Sequence, residues 1–352
     1  MTLASLISAL GAPIEDPEEE TFELFAQDLP SQNLGFIDSR IATLELTVGG
    51  RDLAIHQSPG VLSSNRAGGT TGAVVWKITP LFADWLSSPS TNPLFTHALL
   101  TPSSYLIELG SGTSGLVALL AAPQVSRYVL TDQAYVAKLV EQNVAENWRA
   151  ASASPTQPSG FASGPASSGK AGRSGRSVKS PRGTPIQTPR RGSPAGKGGK
   201  RDIGTGGWAG TGDKVRFMTM DWETDEVTSA LTGGGGAGSF DAVVACDCIY
   251  NEALVEPFVS TCVDVCQLRA AERSQSRDRS RSGKEEEPEP SVCVVAQQLR
   301  APDVFEAWVK RFAESFHTWR VPDELLVPQL RSNSGFVVHL GVLKSEYDPA
   351  AI

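Results

Sequence analysis

The sequence has no apolar run that approaches the roughly 20 residues needed to cross a membrane. Its 352 residues include only five cysteines, an odd number without the spacing of a disulfide framework, which favours a reducing compartment. The first ten residues are mildly apolar but have no basic lead, so they lack the pattern of a secretory signal. We therefore expect a cytoplasmic protein, with the nucleus as an alternative location and no membrane association.

Motifs for metal binding and for nucleophilic hydrolysis are also missing from the sequence. The four histidines are scattered, and the cysteine pairs at 246/248 and 262/266 have no matching pair at zinc spacing. No Ser-His-Asp order and no nucleophile elbow is present. We expect no metal site.

Acidic residues are absent from residues 151–201, which contain ten Lys or Arg and almost no large apolar side chains. Such a composition buries too little apolar surface to offset the entropy of ordering, so it predicts a disordered basic insert. Residues 270–290, with Arg-Ser repeats followed by a Glu-Pro run, predict a second, mixed-charge disordered insert.

The charge balance depends on the first insert. The whole chain has a net charge of −8, so the chain without the ten positive charges of residues 151–201 has −18. An acidic body favours a basic protein partner and disfavours direct nucleic acid binding. The basic insert could contact RNA, although its lack of aromatic residues favours a flexible spacer.

The most informative motif is the stretch Ile-Glu-Leu-Gly-Ser-Gly-Thr-Ser-Gly at residues 107–115. An apolar run precedes it and a helix-forming run follows it, which predicts a strand, a glycine turn and a helix. Gly110, Ser111 and Gly112 form a turn at which backbone and ligand can come close. N–H groups at the start of the helix can receive a polar or anionic ligand group. The pattern predicts a nucleoside cofactor; a glycine turn without a ligand is the alternative.

Two acidic residues narrow the choice of cofactor. Asp132 follows Gly110 by 22 positions, at the end of the next apolar run, where a carboxylate can accept both ribose hydroxyls of an adenosine. NAD and S-adenosylmethionine both contain an adenosine, so Asp132 does not distinguish between these two cofactors. Glu108 precedes the first glycine, where it would repel a pyrophosphate and lie near the cationic part of S-adenosylmethionine.

Alternating strand and helix patterns begin at residue 105. They predict an α/β fold with a Rossmann-like, doubly wound parallel sheet over residues 76–345. Two final extended runs without a helix between them predict an antiparallel closing edge, the arrangement of seven-stranded class I methyltransferases. Residues 1–75 are expected to form an N-terminal extension with a short hairpin at Gly49-Gly50.

Other candidate site residues follow the later strands or precede the sheet, because ligands of doubly wound sheets bind beyond the carboxyl ends of the strands. Trp222 could cover the adenine, and Cys246 would place its backbone under the cofactor. Asp247 would point into the site, with a helix N-cap as the alternative role, and Tyr250 would line the site. Trp76 could form a wall near the sulfonium, and either Trp could instead be a core residue.

Five motifs in order resemble the non-histone protein-lysine methyltransferases, methyltransferase family 16. They are Val75-Trp76, the Glu108–Gly115 turn, Thr131-Asp132, Asp221-Trp222 and the Asp-x-x-Tyr at 247–250. The spelling Asp-Cys-Ile-Tyr-Asn-Glu and an insert after Asn-Trp at 147–148 are most similar to the family's fungal ribosomal branch.

The resemblance implies S-adenosylmethionine as methyl donor and a lysine of a folded protein as acceptor, in the fungal branch a protein of the large (60S) ribosomal subunit. It places cofactor contacts on Trp76, the backbone of 110–112, Asp132, Trp222 and Cys246. The family usually has alanine where Cys246 stands, so a backbone contact is the role carried over there.

For the reaction we expect Asp247 to orient the acceptor amine and Tyr250 to form a wall, with a neutral lysine attacking in line and no dedicated base. The expected protein is a monomer. The alternatives are methylation of another protein, a small molecule or RNA, an NAD-dependent dehydrogenase, and a binding module with an inactive cofactor pocket.

Overall fold

A seven-stranded sheet lies at the centre of the protein, which we describe from a computed structural model over residues 3–30, 35–66, 69–153, 211–233, 238–280 and 288–348. The strands in these ranges are β1 (Thr43–Val48), β2 (Arg51–His56), β3 (Tyr105–Leu109), β4 (Arg127–Asp132), β5 (Val215–Thr219), β6 (Ala242–Cys246), β7 (Val292–Gln298), β8 (Phe316–Arg320) and β9 (Phe336–Leu343). The α-helices there are α1 (Leu3–Leu10), α2 (Pro17–Phe25), α3 (Pro59–Leu62), α4 (Ile78–Leu86), α5 (Pro93–Thr96), α6 (Leu116–Ala121), α7 (Ala137–Ser152), α8 (Val255–Ser280) and α9 (Pro302–Ser315).

The strand order in the large sheet is β5-β4-β3-β6-β7-β9-β8. The pairs from β5 to β7 are parallel, whereas β9 runs antiparallel to both β7 and β8. The order reverses between β3 and β6, which places a ligand crevice at the carboxyl ends of these strands. The predicted α/β fold with an antiparallel closing edge is confirmed: this is the class I methyltransferase topology. A dinucleotide-binding Rossmann sheet would continue with another parallel strand.

The sequence favours this sheet because its inner strands are continuous apolar runs. Every residue of β7 and of β9 is buried, as expected for strands covered on both faces. On one side, α6 is buried along its whole length. The sheet is therefore a rigid platform, and the residues that follow its strand ends are held in fixed positions.

The N-terminal extension is tied to this platform through α7. Its hairpin, β1 and β2, is close to the predicted one. The buried side chain of Asn147 accepts from the Ala54 N–H at 2.9 Å and donates to the Ala54 carbonyl at 2.9 Å. Asn143 makes the same pair of bonds to His56, at 2.7 and 2.8 Å. Helix α1 lies in a stretch for which the sequence patterns predicted no element.

One of the two predicted inserts requires a correction. Residues 270–280 continue α8 instead of forming an irregular segment, because Ala, Glu, Gln and Arg in this stretch are good helix formers. Arg273 is buried there and pairs with Glu346 at 2.7 Å. Residues 281–287 lie outside the described ranges. The predicted basic insert at 151–201 begins within the last turn of α7, and its remainder from residue 154 onward also lies outside them.

Candidate active site

A cavity of about 360 Å³ opens at the carboxyl ends of β3, β4 and β6. Residues 69–76, here called the strap, form its opposite wall. The cavity is lined by all ten residues predicted for the site: Trp76, Glu108, Gly110, Ser111, Gly112, Asp132, Trp222, Cys246, Asp247 and Tyr250. Residues that are far apart in the sequence thus surround one space.

The glycines of the turn leave space in the cavity because they have no side chains. Gly110 has φ +70°, and a Cβ atom there would lie 2.7 Å from the Cys248 sulfur and 3.2 Å from the Trp222 ring. Gly112 has φ +63°, and a Cβ atom there would lie 3.2 Å from the carbonyl oxygen of Gly72 in the strap. Both positions therefore require glycine for conformation and for space.

The N–H groups of the turn are used within the protein. Ser111 donates to the Thr131 carbonyl at 3.1 Å, and Thr113 donates to the Gly72 carbonyl at 2.8 Å. Gly112 donates to the Asp132 carboxylate at 2.8 Å. These three residues precede the start of α6 at Leu116, so the expectation of ligand contacts with N–H groups at the helix start does not concern them and stays a prediction. The turn lets a ligand come close to the backbone, and the carboxylates are the groups that can bind a charged part of that ligand.

Asp132 is oriented by two backbone groups. Its Oδ2 accepts from Gly112, and its Oδ1 accepts from the Gln133 N–H at 2.6 Å. Burial raises the pKa of this carboxyl to about 6 against the lowering effect of those hydrogen bonds. A carboxylate has about four lone-pair positions, so about two stay free towards the cavity. This number suits a ribose diol.

Glu108 is almost completely buried beneath the turn, with 2% of its surface exposed. Its Oε2 has no hydrogen-bond partner of normal geometry among the described residues, but the buried Tyr128 hydroxyl lies near enough to interact with the carboxyl and to lower its pKa. Burial raises the pKa of this carboxyl to about 8, and the nearby Asp132 charge adds to the rise. A single neutral phenol balances a buried carboxyl only in part, so a cationic ligand group would stabilise its charged form. The position fits the amino group of S-adenosylmethionine and disfavours a pyrophosphate.

Two tryptophans flank the cavity and are held by other rings. Trp222 packs edge-on against Phe258, with ring centroids 5.2 Å apart, and its indole N–H has no partner among the described residues. Trp76 donates its indole N–H to the Thr71 carbonyl at 3.1 Å and lies 4.5 Å from the Phe36 ring. Both line the cavity while packing against neighbours, so the core and ligand-facing interpretations hold together.

Two thiols lie under the site. Cys246 is half-buried at the end of β6, and burial raises its pKa far above the usual range. Cys248, which the sequence interpretation did not select, is buried with its sulfur 3.2 Å from the Leu109 carbonyl, and burial likewise raises its pKa. Both are neutral thiols at physiological pH, which makes them small packing residues rather than nucleophiles.

Asp247 has a left-handed backbone conformation, and its buried side chain accepts three hydrogen bonds. Its φ is +60°, its N–H donates to the Ala296 carbonyl at 2.7 Å, and its side chain is 1% exposed. Arg300 binds both carboxylate oxygens, at 2.7 and 2.5 Å, and the Gln298 N–H adds a bond of 3.2 Å. The alternative N-cap role belongs to Asn251, whose side chain accepts from Ala253.

Tyr250 stands at the mouth of the cavity with 39% of its surface exposed. It lies close to the strap, since a Cβ atom on Gly69 would be 3.8 Å from its hydroxyl. This position is compatible with the predicted wall around an acceptor.

The sequence interpretation missed Arg300, because only the ends of the first four sheet strands were considered. Arg300 follows β7 by two residues, and its guanidinium also lies 4.7 Å from the centre of the Trp76 ring. A basic residue just past a strand that begins with an apolar run was the available signal. The strap residues Thr71 and Gly72, and Tyr135 on the far side, were also missed.

The sheet topology is that of class I methyltransferases, and the glycine turn and the paired carboxylates lie where this fold binds its cofactor. Within the described ranges, no group of three or more His, Cys, Asp or Glu side chains could hold a metal ion. None of the described helices is long and apolar enough to cross a membrane.

Residues 56–157 match the family model described as lysine methyltransferase, methyltransferase family 16. The match confirms the resemblance stated from the sequence motifs, and this family uses S-adenosylmethionine as methyl donor. The matched stretch includes the strap, the glycine turn and Asp132.

Comparison with curated proteins gives two informative relatives. The ribosomal lysine N-methyltransferase 5 of Zygosaccharomyces rouxii is 26% identical over 277 residues, which are 74% of this chain and 70% of that protein. The diaminohydroxyphosphoribosylamino-pyrimidine deaminase of Schizosaccharomyces pombe is 36% identical over 135 residues, 38% of this chain. The chain spans about a third of that protein (32%). Among solved structures, the CurJ carbon methyltransferase matches with a TM-score of 0.36 and 12% identity, over 76% of this chain and 57% of that one.

Proposed function

We propose that the protein is a cytoplasmic, S-adenosylmethionine-dependent protein-lysine N-methyltransferase that modifies a protein of the large (60S) ribosomal subunit. The observation that carries the proposal is the Glu108 carboxyl, which has no positively charged partner within the described residues and is buried beside the glycine turn and Asp132. Together they offer one group for a cation and one for a ribose. The lysine methyltransferase match over residues 56–157 supports the reaction class.

Different residues of the cavity would bind different parts of the cofactor. When bound, S-adenosylmethionine supplies an electrophilic methyl group on a sulfonium. Asp132 would accept the ribose hydroxyls, and Glu108 would pair with the amino group. Trp222 would cover the adenine, and the absence of side chains at 110 and 112 would let the cofactor approach the backbone. These contacts fix the direction in which the methyl group points.

The acceptor must arrive as a neutral amine. A lysine with its ordinary pKa of about 10.4 is charged at pH 7, and it must lose a proton before its nitrogen lone pair can attack. The new N–C bond forms as the C–S bond breaks, and the sulfonium becomes a neutral thioether. Desolvation between Trp76 and Tyr250, with the positive sulfonium nearby, lowers the pKa of the amine. Alignment of nitrogen, carbon and sulfur supplies much of the rate.

Charge supports a basic protein as substrate. The chain outside residues 151–201 has a net charge of −18. Asp221 and Glu223 line the cavity, and the exposed Glu252 adjoins it. Ribosomal proteins are basic, so such a surface would raise the rate of encounter. The name of the Zygosaccharomyces relative points to the same class of substrate.

The test uses purified full-length protein, cofactor labelled in the methyl group, and dissociated large ribosomal subunits. We expect label in a protein band at lysine, and its loss in Asp132→Ala and Glu108→Ala. Asp303→Asn is the matched control, because Asp303 is an exposed acid in the first turn of α9 and does not line the cavity.

Each contrary result is informative. Label in ribosomal RNA would replace the protein acceptor by RNA. Cofactor binding without transfer to any lysate protein would indicate a binding module. Full transfer by both cavity variants would refute the assignment of the site.

A further inference from the structure

The pair formed by Arg300 and Asp247 joins three parts of the cavity wall. Asp247 follows β6 and Arg300 follows β7, while the Arg300 guanidinium lies over Trp76, which precedes α4. Arg300 also donates to the Gln298 side chain at 2.9 Å. A planar guanidinium that binds a carboxylate with both arms and stacks on an indole is held far more rigidly than a surface ion pair.

The hydrogen bonds of Asp247 are nearly complete. Three donors reach its carboxylate: two from Arg300 and one from the Gln298 N–H. A carboxylate has about four lone-pair positions, so contacts among the described residues leave about one, on Oδ2. That position can accept one N–H from a ligand in the cavity, while Arg300 already balances the negative charge.

This arrangement bears on the protonation of an acceptor. A free carboxylate beside a lysine amine stabilises the ammonium form and raises its pKa by about one to three units. The ammonium has no lone pair, so such a carboxylate would hold the acceptor in its unreactive state. A carboxylate neutralised by Arg300 can still orient an N–H without that penalty.

We infer that Arg300 is a positioning residue that neutralises Asp247, so that Asp247 orients the acceptor lysine as a neutral amine rather than binding it as an ammonium ion. The inference rests on the proposed function and adds a device for selecting the protonation state of the substrate. Arg300 acts through Asp247 and through the Trp76 face.

The other titratable groups around Asp247 are thiols, a carboxyl and a phenol, and these groups cannot neutralise its carboxylate in place of Arg300. The thiols of the half-buried Cys246 and the buried Cys248 lie at the same strand end and are neutral. Glu108 on β3 is the acidic neighbour of both thiols. Tyr250, on the loop that follows, is a phenol whose pKa burial raises. Arg300 is the positive group that contacts the carboxylate in this part of the described structure.

The experiment compares wild type with Arg300→Met, which keeps an apolar stem against Trp76 but removes the charge. The rate of methyl transfer is measured against pH with full-length protein and a ribosomal protein substrate. We expect kcat at neutral pH to fall by about tenfold or more, KM to stay equal or fall, and the rising limb of kcat to move up by about one to three pH units. Arg300→Lys, which keeps the charge but not the two-armed contact, should shift less.

Two further variants separate this role from simple stabilisation. Thermal unfolding of Arg300→Met, Asp247→Asn and the double variant forms a cycle, and we expect the double variant to be more stable than Arg300→Met because it removes the buried unpaired carboxylate. Arg311→Met is the matched control: Arg311 makes a two-armed pair with Glu256 away from the cavity. It should leave the pH profile unchanged.

The outcomes are distinguishable. An Arg300→Met profile that superimposes on wild type, with only a lower melting temperature, would overturn the inference and leave the proposed function standing. Additive effects in the unfolding cycle would also overturn it. A wild-type protein that transfers no methyl group to any protein lysine would refute the proposed function, and the inference with it.

Discussion

Asn143 Nδ2 donates a 2.7 Å hydrogen bond to the carbonyl of Thr113, which links α7 directly to the glycine turn. The same side chain holds both backbone groups of His56 in the hairpin of the N-terminal extension. One buried amide therefore joins the extension, helix α7 and the glycine turn. A substitution of Asn143 should for this reason also weaken cofactor binding.

Asn143→Leu should destabilise the protein by about 2–4 kcal/mol, because a side chain of similar size leaves buried backbone groups without partners. Denaturant unfolding measures the change, and calorimetry should show weaker cofactor binding as the turn loosens. Gln142→Leu, an exposed position on the same helix, is the control. An Asn143 variant as stable as this control would contradict the assigned link.

Gly110→Ala should abolish cofactor binding and lower stability, because the methyl group meets the Cys248 sulfur at 2.7 Å in a left-handed backbone. Gly212→Ala is a matched control: its φ is +60° and a Cβ atom there meets nothing within 4 Å. Its free energy of unfolding should fall only by the cost of a left-handed backbone at alanine, about 1–2 kcal/mol. Equal losses in the two variants would show that crowding at Gly110 is unimportant.

Cofactor binding near neutral pH should release a proton. In the free protein the pKa of Glu108 is about 8, so the carboxyl is mostly protonated at pH 7, and pairing with a cationic amino group lowers that pKa. Affinity should therefore rise with pH towards about 8 and fall above it, because the cofactor's own α-amino group loses its proton there. Calorimetry in buffers of different ionisation enthalpy measures the proton, and Glu108→Gln should remove this release.

Glu108 should also make the cofactor-free protein less stable as the pH rises. Its ordinary pKa is 4.5 and its folded pKa is about 8, so between these values the folded chain keeps a proton that the unfolded chain has lost. Asp132, raised from 3.8 to about 6, contributes with the same sign over a lower range. Glu108→Gln should thus melt higher than wild type at about pH 8.5, with the gap closing towards pH 5. A difference in melting temperature that does not change with pH would indicate an effect of packing instead of ionisation.

Asp132→Asn should weaken cofactor binding by about tenfold to a hundredfold, since hydrogen bonds to a charged group are worth about 1.5–3 kcal/mol. The amide would also turn one N–H donor towards a backbone N–H that now donates to Asp132. Calorimetric Kd values would show the change, with Asp303→Asn as control. Unaltered affinity would mean that Asp132 does not touch the cofactor.

The sequence predicted the sheet and the cavity residues well, because both depend on local signals. Buried parallel strands are continuous apolar runs, and residues that follow them must meet at one edge of the sheet. The Arg300–Asp247 pair could not be read this way, since it joins residues 53 positions apart whose contact depends on the packing of two loops. The use of the turn N–H groups by Asp132, Thr131 and Gly72 also depends on tertiary contacts.

Strand β5 is one of the two edge strands of the sheet, and the chain between residues 153 and 211 joins it to α7. Doubling the length of such a connection costs only about 0.6 kcal/mol in closure entropy. An insertion between β3 and α6 would instead rebuild the cofactor turn. Evolution can therefore vary the chain length freely at the β5 edge, and we expect the lengths of related proteins to diverge there first.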